Sequence, residues 1–431
     1  TVTIDPTFEN GTEWNPEDDK YDVELISGTK TETVVLKSGK YVFDDVTIKV
    51  ADGNAIEVEG DVVIDVMGIM TLDSKGGIVV KNGSLVINGV VETRGAERAG
   101  ILKVETEEGS AIGGSNITIQ NLAGLTAKAN GKHAFGIGAE DATVVIKNTK
   151  IDYVAGGHVQ ATLADDDTWG KKAPEGGAAI GGANVTIENS EIVKAEGGSK
   201  AAAIGNKYWA ATNIVIKGST LGDIFGGNAS AAIGGSRYNK ENKQSINIAI
   251  EGSTIANAVG GTYGAGIGSG YDTYCATNDS NAVNKIEIST STITAKGGKY
   301  AAGIGTGHHA AALTGSIEAA SKINATSGDE SYCDESGYGR LKTVAQGIGY
   351  GSVDANCEFK DVDVTFTVAG EVIDIPSVLV TSADVFNKAM ASVNEYINVK
   401  LGEDITVAGA TGVEYGGADT KMIVIDGKGK T

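Results

Sequence analysis

The sequence predicts an all-β fold, a right-handed parallel β-helix (solenoid) in which each coil contains three short strands. Three observations lead to this prediction: a repeated unit running from Gly-Gly to Ile-Gly, short strands of alternating polarity within each unit, and the composition. Of 431 residues, 62 are glycine and only 4 are proline, while aromatic residues make up 6%. Abundant glycine suits a chain with many tight corners. With so few aromatic residues, the core has to be built from Ile, Val, Leu and Ala.

The repeated unit begins with Gly-Gly, passes through small residues to an Ile-Gly step, and ends with two apolar strands. Copies beginning at Gly176, Gly197, Gly226, Gly260 and Gly297 give unit lengths of 21, 29, 34 and 37 residues. The isoleucines of the Ile-Gly step are predicted to line the core, one per coil: Ile112, Ile137, Ile180, Ile204, Ile233, Ile267, Ile304 and Ile348. Polar corners between the last two strands, such as Glu188-Asn189-Ser190, are expected to stack into side-chain ladders.

The shortest copy shows why the strands must stack. Its strand signals fall at residues 178–180, 185–187 and 192–194, and Val185 and Ile187 face away from Thr186 because side chains alternate along a strand. None of these strands can bury its apolar face alone, but stacked coils bury them together. No helical periodicity occurs between residues 100 and 370, and a 21-residue unit leaves no room for the four strands of a propeller blade.

This pattern resembles the right-handed parallel β-helix proteins of the pectin-lyase-like superfamily. More narrowly, it resembles adhesin-like surface proteins of bacteria and archaea, which carry repeated GG…AGIGGG…ITI coils. The resemblance covers roughly residues 100–365. It implies the fold and an extracellular, cell-surface location. It leaves function open, because lyases, hydrolases, phage spikes and adhesins all use this architecture.

The two ends are predicted to differ from the repeats. Residues 33–375 form the solenoid, whose first coils (33–99) lack the Ile-Gly step, and residues 1–32 form an N-terminal cap segment. In residues 376–431 we expect a helix followed by strands at 397–401, 405–407 and 422–425. This segment is either the start of a second β-helix domain or a C-terminal cap. The helix places four apolar residues on one face: Val385, Phe386, Ala389 and Val393.

Charge and cysteine content exclude several classes of partner and site. The formal net charge of −21 disfavours nucleic acid and anionic lipid. No run of 18 apolar residues is present, so membrane insertion is not expected. Cys275, Cys333 and Cys357 allow one disulfide at most, with Cys275 the expected partner, and lack the spacing of a zinc or redox motif.

Enzymes with this fold cluster carboxylates on one sheet. Arg340 and Lys342 form an Arg-x-Lys pair, and His308 lies about one coil upstream, so these three are the candidate catalytic residues of a polysaccharide lyase or glycoside hydrolase. No Asp-Asp or Asn-Thr-Asp pair lies on the preceding strands. A non-catalytic protein is therefore the preferred interpretation, and no cofactor is expected.

One acidic run in the sequence is a candidate metal site. The consecutive carboxylates form a candidate Ca²⁺ site: Asp165, Asp166 and Asp167. They lack the spacing of a calcium-binding loop, so a solvated loop is the competing explanation.

Aromatic residues are scarce, yet they concentrate in the loops that follow the Ile-Gly steps. These loops are expected to stack into a ledge that binds an extended ligand, with a glycan as the expected class, through Tyr208, Trp209, Tyr238, Tyr271 and Tyr274. The competing explanation is that the rings pack beneath their own loops. A second candidate corner, before the Ile-Gly step, carries Tyr263, Tyr300, Tyr332 and Tyr338.

The sequence thus favours an adhesin or stalk, with a glycan or a host or neighbouring cell surface as partner. A carbohydrate-active enzyme is one alternative. The other is a self-assembling surface layer or fibre subunit, in which chains associate with one another.

Overall fold

The structure is a computed structural model that describes residues 2–4, 24–90, 99–158, 175–207, 210–237, 245–271, 284–310, 313–328, 345–352, 365–373, 378–380, 382–383, 386, 396–401, 404 and 422–426. Regular structure in these residues is almost entirely β-strand, and the strands pair mainly in parallel. Through most of the chain, each strand pairs with the strand three places later, so that one coil contains three strands. The predicted parallel β-helix is therefore confirmed.

The solenoid begins with β1 (Val2–Ile4), β2 (Glu24–Lys30) and β3 (Val34–Asn82). β3 runs for 49 residues without a break and contains the strands predicted between residues 34 and 80. Both β1 and β2 pair in parallel with β3, so parallel pairing reaches into the segment assigned to an N-terminal cap.

Three parallel sheets continue from β3. The first consists of the two-residue Ile-Gly strands: β6 (Ile112–Gly113), β9 (Ile137–Gly138), β12 (Ile180–Gly181), β15 (Ile204–Gly205), β18 (Ile233–Gly234), β21 (Ile267–Gly268), β24 (Ile304–Gly305) and β27 (Ile348–Gly349). The second contains β4 (Leu85–Gly89), β7 (Asn116–Gln120), β10 (Thr143–Lys147), β13 (Asn184–Glu188), β16 (Thr212–Lys217), β19 (Ile246–Glu251), β22 (Asn284–Ser289), β25 (Thr314–Ile317) and β28 (Thr365–Val368). The third contains β5 (Ile101–Thr106), β8 (Gly124–Lys128), β11 (Lys150–Ala155), β14 (Glu191–Glu196), β17 (Thr220–Phe225), β20 (Thr254–Val259), β23 (Thr292–Lys296) and β26 (Lys322–Thr326).

The core is a stack of aliphatic side chains, as the repeat predicts. Seven of the eight Ile-Gly isoleucines are fully buried, and Ile348 is partly buried and packs against the same core. In the second sheet Val185 and Ile187 point inward with no exposed surface, whereas Thr186 points outward. Burial of this kind contributes about 25 cal/mol for each Å² of apolar surface, so every added coil extends the same stabilising core.

The corner between the second and third sheets, which we call the serine corner, keeps one geometry from coil to coil. Ser219 Oγ donates to the Lys217 carbonyl at 2.8 Å and accepts from the Ser190 N–H at 3.1 Å. The Ser219 N–H in turn donates to Ser253 Oγ at 3.2 Å. The same arrangement links consecutive coils through Thr149, Ser190, Ser219, Ser253, Ser291 and Ser321. The predicted side-chain ladder is confirmed.

The first residue of this corner adopts a left-handed backbone conformation in six successive coils, which is why Asn or Gly usually stands there. Positive φ angles are found at Asn121, Asn148, Asn189, Gly218, Gly252 and Thr290. Thr290, with φ of +45°, is the exception in residue type, because a β-branched side chain crowds the backbone in this region.

The described C-terminal residues form a short hairpin and a separate sheet. β29 (Glu371–Val372) pairs antiparallel with β28. β30 (Val378–Val380), β31 (Tyr396–Leu401) and β32 (Met422–Asp426) make a three-stranded parallel sheet, which confirms two of the predicted strands and adds β30. The Phe386 N–H donates to the Ser382 carbonyl at 3.0 Å, a helical turn at the predicted helix start. Other residues predicted for the helix (Val385, Ala389, Val393) and the strand at 405–407 lie outside the described residues.

Candidate functional site

The Ile-Gly strands are tight turns as well as strands. The Ala265 N–H donates to the Ser269 carbonyl at 3.0 Å, across the Ile267-Gly268 step. Equivalent bonds join Ala202 to Asn206 and Ala302 to Thr306. Because the chain closes on itself over five residues, the corners before and after the Ile-Gly step lie side by side. We call the surface built by residues 226–237, 260–271, 297–310 and 345–352 the outer lobe.

Glycine is required at the apex of this turn for two reasons. Gly268 has φ of +138°, where residues with a side chain are strained. A Cβ at Gly268 would also overlap the carbonyl oxygen of Gly305 in the next coil. The Ile-Gly step therefore combines a buried anchor with a close backbone contact between coils.

The outer lobe holds a cluster of aromatic rings and imidazoles. Within one coil the Tyr263 and Tyr271 ring centroids are 5.4 Å apart, and within the next the Tyr300 and His308 centroids are 5.2 Å apart. Between coils, Tyr263 stacks on Tyr300 at 6.2 Å with an interplanar angle of 11°, and Tyr271 stacks on His308 at 5.8 Å and 23°. The Arg237 guanidinium lies 5.6 Å from the Tyr271 ring centroid. The cluster is thus two adjacent columns of rings that run along the solenoid.

Backbone hydrogen bonds hold these columns in register. The Tyr271 N–H donates to the Ala229 carbonyl at 2.9 Å, and the His308 N–H donates to the Tyr263 carbonyl at 2.9 Å. His308 Nδ1 lies 2.6 Å from the Ser352 carbonyl oxygen, so that Nδ1 carries the proton. Each bond joins a residue after one Ile-Gly step to a residue of another coil.

This geometry corrects the expectation that Tyr271 presents its ring on an exposed ledge. Tyr271 is only 2% exposed and lies between Arg237 and His308, so its faces are covered. Tyr263 and Tyr300, assigned to a separate corner, belong to the same cluster. His308, the catalytic candidate, is also 2% exposed and packs within it.

The remaining predicted site residues lie outside the described residues, and the predictions for them stand untested. They are the ligand-binding candidates Tyr208, Trp209, Tyr238 and Tyr274, the second-corner residues Tyr332 and Tyr338, the catalytic candidates Arg340 and Lys342, the acidic run Asp165, Asp166 and Asp167, and the cysteines Cys275, Cys333 and Cys357.

A second polar cluster, which sequence reasoning did not single out, surrounds the coil of Ile180. Only Gly182 and Ala183 join β12 to β13 in that coil. Lys207, from the following coil, reaches across it and places Nζ 2.9 Å from Glu140 Oε2, and Asn206 Nδ2 donates to the Glu140 carbonyl at 2.9 Å. The unusually short 21-residue unit was the sequence signal for this bridge.

His133 belongs to the same neighbourhood, with Nε2 3.2 Å from Glu175 Oε2. Burial, reinforced by the positive charge of Lys207, lowers the pKa of His133 below its usual 6.5, although Glu175 acts in the opposite direction. The imidazole is therefore neutral at pH 7, with Nε2–H donating to Glu175. Nδ1 is buried and has no hydrogen-bond partner in the described structure.

Comparison with known proteins returned no match to a family model, to a curated protein or to a solved structure. Within the described ranges, no three His, Cys, Asp or Glu side chains come together so as to hold a metal ion. No helix in the part of the chain that the structure describes is long and apolar enough to cross a membrane.

Proposed function

We propose that this chain is an extracellular, non-catalytic β-helix segment of a microbial cell-surface protein, which acts as an adhesin or stalk and recognises glycans. The observation that carries the proposal is the placement of its variable links. The link through which a coil enters the second sheet varies in length, from two residues at 182–183 to fifteen at 269–283. All these links leave the solenoid at the same corner, directly above one another.

Such an arrangement separates support from recognition. The aliphatic core and the serine corner repeat with a fixed register, and the stacked rings of Tyr263, Tyr271, Tyr300 and His308 brace the base of the links. Loops on a rigid scaffold are where binding residues concentrate. Equivalent links repeat about every 4.8 Å, the strand spacing, which suits a polymer of repeating units.

A glycan is the ligand that fits the composition of these links. Trp209, Tyr238 and Tyr274 supply rings that stack on sugar faces, and neighbouring Asn, Asp and Lys side chains supply hydrogen-bond partners for hydroxyl groups. The net charge of −21 disfavours polyanionic partners. Single contacts of this kind are weak, so adhesion relies on several links or several copies acting together.

The proposal is tested by removing links at one corner and not at another. In the test variant a Gly-Ser dipeptide replaces residues 272–283, and Trp209 and Tyr238 become Ala. In the matched control the insertion 159–174 is removed from the corner before the Ile-Gly step, so that His158 joins Glu175. Both proteins are screened on a glycan array and for adhesion to cells after circular dichroism has verified the fold.

We expect glycan binding to fall by about tenfold or more in the test variant, on the scale of two or three lost stacking contacts, and to persist in the control. Equal binding by the test variant would place recognition elsewhere on the chain. Absence of glycan binding and adhesion in the unmutated protein would overturn the recognition role.

A further inference from the structure

The third sheet contains a patch in which four stacked strands each carry an extra outward-facing residue. In β14 the inward residues Ile192 and Ala195 are separated by two outward residues, Val193 and Lys194. β11, β17 and β20 have the same pattern. The flanking strands β8 and β23 have one outward residue in the same interval, and the register shifts where they meet the patch.

Bulges of this kind disturb the regular ladder and redirect side chains, and they are over-represented near binding and catalytic sites. A bulged strand loses hydrogen bonds where it pairs with an unbulged neighbour. Here the four bulged strands pair with one another, so the register shifts only at the two borders of the patch. We call the outer face of β11, β14, β17 and β20 the bulged patch.

The bulged patch brings two of the chain's few aromatic side chains to the outer surface. Tyr153 and Phe225 lie two coils apart and are both partly exposed, about 9.6 Å from each other along the axis by the strand spacing. Lys194, from the coil between them, places Nζ 5.6 Å from the Tyr153 ring centroid and 5.9 Å from that of Phe225. The two rings and the lysine therefore form a continuous strip across three coils, with Phe225 two positions further along its strand than Tyr153.

Polar groups line this strip at fixed positions. Tyr153 Oη donates to Glu196 Oε2 at 2.6 Å, and Lys194 Nζ is 2.9 Å from Glu196 Oε1. Burial, together with the Glu196 carboxylate, raises the pKa of Tyr153 and keeps its phenol protonated. One coil further along, Asn257 Nδ2 donates to Asp223 Oδ1 at 2.9 Å, and both side chains are accessible.

We propose that the bulged patch binds a neutral polysaccharide chain lying along the solenoid axis, with sugar faces against Tyr153 and Phe225. The inference rests on the proposed function only in taking glycans as the protein's ligands. The hydroxyl groups of such a chain meet the carboxylates of Glu196 and Asp223 and the amide of Asn257.

Charge selects neutral over acidic glycans. The outward charged residues of the four strands are two lysines, Lys150 and Lys194, against four carboxylates, Asp152, Glu191, Glu196 and Asp223. The patch therefore carries a net negative charge and repels polyuronates. Val193, 43% exposed at the centre, adds apolar surface of the kind that packs against sugar C–H groups.

The test compares substitutions inside and beside the patch in the full chain. The test protein carries Tyr153→Ala and Phe225→Ala. The matched control carries Thr126→Ala and Thr294→Ala, which are outward positions on the unbulged strands at either border. A second test protein, Val193→Glu, adds a charge to the patch at an exposed position and leaves the core intact. Pull-down is measured on amorphous cellulose, chitin and xylan, with polygalacturonate as the anionic probe.

We expect both test proteins to bind at least one neutral polysaccharide about tenfold more weakly than the unmutated chain, and the control to bind equally well. Unchanged binding by both test proteins overturns this inference while leaving the proposed function in place. Preference of the unmutated chain for polygalacturonate also overturns it. Failure of the unmutated chain to bind any glycan removes the inference together with the recognition role.

Discussion

The two corners on either side of the second sheet follow opposite rules. The serine corner has the same two-residue form in successive coils, from Asn148-Thr149 to Thr290-Ser291. The corner after the Ile-Gly step ranges from two residues to fifteen. Since both corners adjoin the same strands of the second sheet, those strands do not explain the difference.

Hydrogen bonding explains it. At the serine corner, the Ser219 hydroxyl bonds to Lys217 and Ser190, and the Ser219 N–H donates to Ser253. An inserted residue would therefore break hydrogen bonds to both the preceding and the following coil. At the other corner, the register is already set by the buried isoleucine and the five-residue turn around it. Chain beyond that turn is free to vary in length. Variation is tolerated where a separate anchor fixes the register.

Breaking that anchor should have the largest effect. In Ile204→Asp, a carboxylate replaces a fully buried side chain that pairs with Ile180 and Ile233 in adjacent coils. An unpaired buried charge costs several kcal/mol, so we expect loss of about 4 kcal/mol or more and unfolding of several coils. Ile204→Val, the control, should cost about 1 kcal/mol. Urea unfolding followed by circular dichroism measures both, and similar midpoints for the two would mean that the isoleucine does not anchor the coil.

Removing one rung of the serine corner should cost less. Ser219→Ala leaves the buried Ser190 N–H without its acceptor and removes the bond to the Lys217 carbonyl. We expect a loss of about 1–3 kcal/mol, the range for an unsatisfied buried polar group. Ser289→Ala, at an outward position of the second sheet, should change the free energy of unfolding by less than about 0.5 kcal/mol. If Ser219→Ala lowers the free energy of unfolding no more than Ser289→Ala does, the ladder does not stabilise the corner.

A smaller effect, of opposite sign, is expected at Thr290. Its φ of +45° is the conformation that Asn adopts at positions 121, 148 and 189 of the same corner. Thr290→Asn should therefore stabilise the protein by about 1 kcal/mol through relief of backbone strain. Thr292→Asn, two residues later in an exposed strand position, should not stabilise it. The comparison is read from thermal midpoints, and a lower midpoint for Thr290→Asn would contradict the strain argument.

The same contrast explains how much the sequence could predict. Local rules were sufficient for the core and the serine corner, because the positions occupied by Ile204 and Ser190 have the same role in successive coils. They were insufficient for Tyr271. A straight Ile-Gly strand would place Tyr263 and Tyr271 at opposite ends, whereas the bond from Ala265 to Ser269 brings them together. The recurring eight-residue spacing of Tyr263–Tyr271 and Tyr300–His308 was the available signal.

The bulged patch could not be predicted from the sequence either. The spacing of Ile192 and Ala195 looks like a missed alternation in one strand, and only its recurrence in stacked strands gives it meaning. Tyr153 and Phe225 are 72 positions apart in the chain and meet Lys194 only because the coils stack. Long-range juxtaposition of this kind requires the register, which the repeat alone does not specify.

The smallest expected effect is a pH dependence at His133, which lies just before the Ile137-Gly138 step. Burial lowers the pKa of its folded-state imidazole below the usual 6.5, so the unfolded chain takes up this proton at higher pH than the folded protein does. His133 therefore contributes stability that is present above pH 6.5 and is lost as the pH falls through the folded-state pKa. Protonation would also place an N–H at the buried Nδ1, where no acceptor is found among the described residues.

We expect the thermal midpoint to fall between pH 7.5 and 5.5 by more in the unmutated protein than in His133→Gln, whose amide keeps a donor for Glu175 without titrating. The effect should be modest because the His133 side chain is 39% exposed. Identical shifts in the two proteins would show that the proton binds folded and unfolded chains alike, and that the bridge from Lys207 to Glu140 leaves the imidazole untouched.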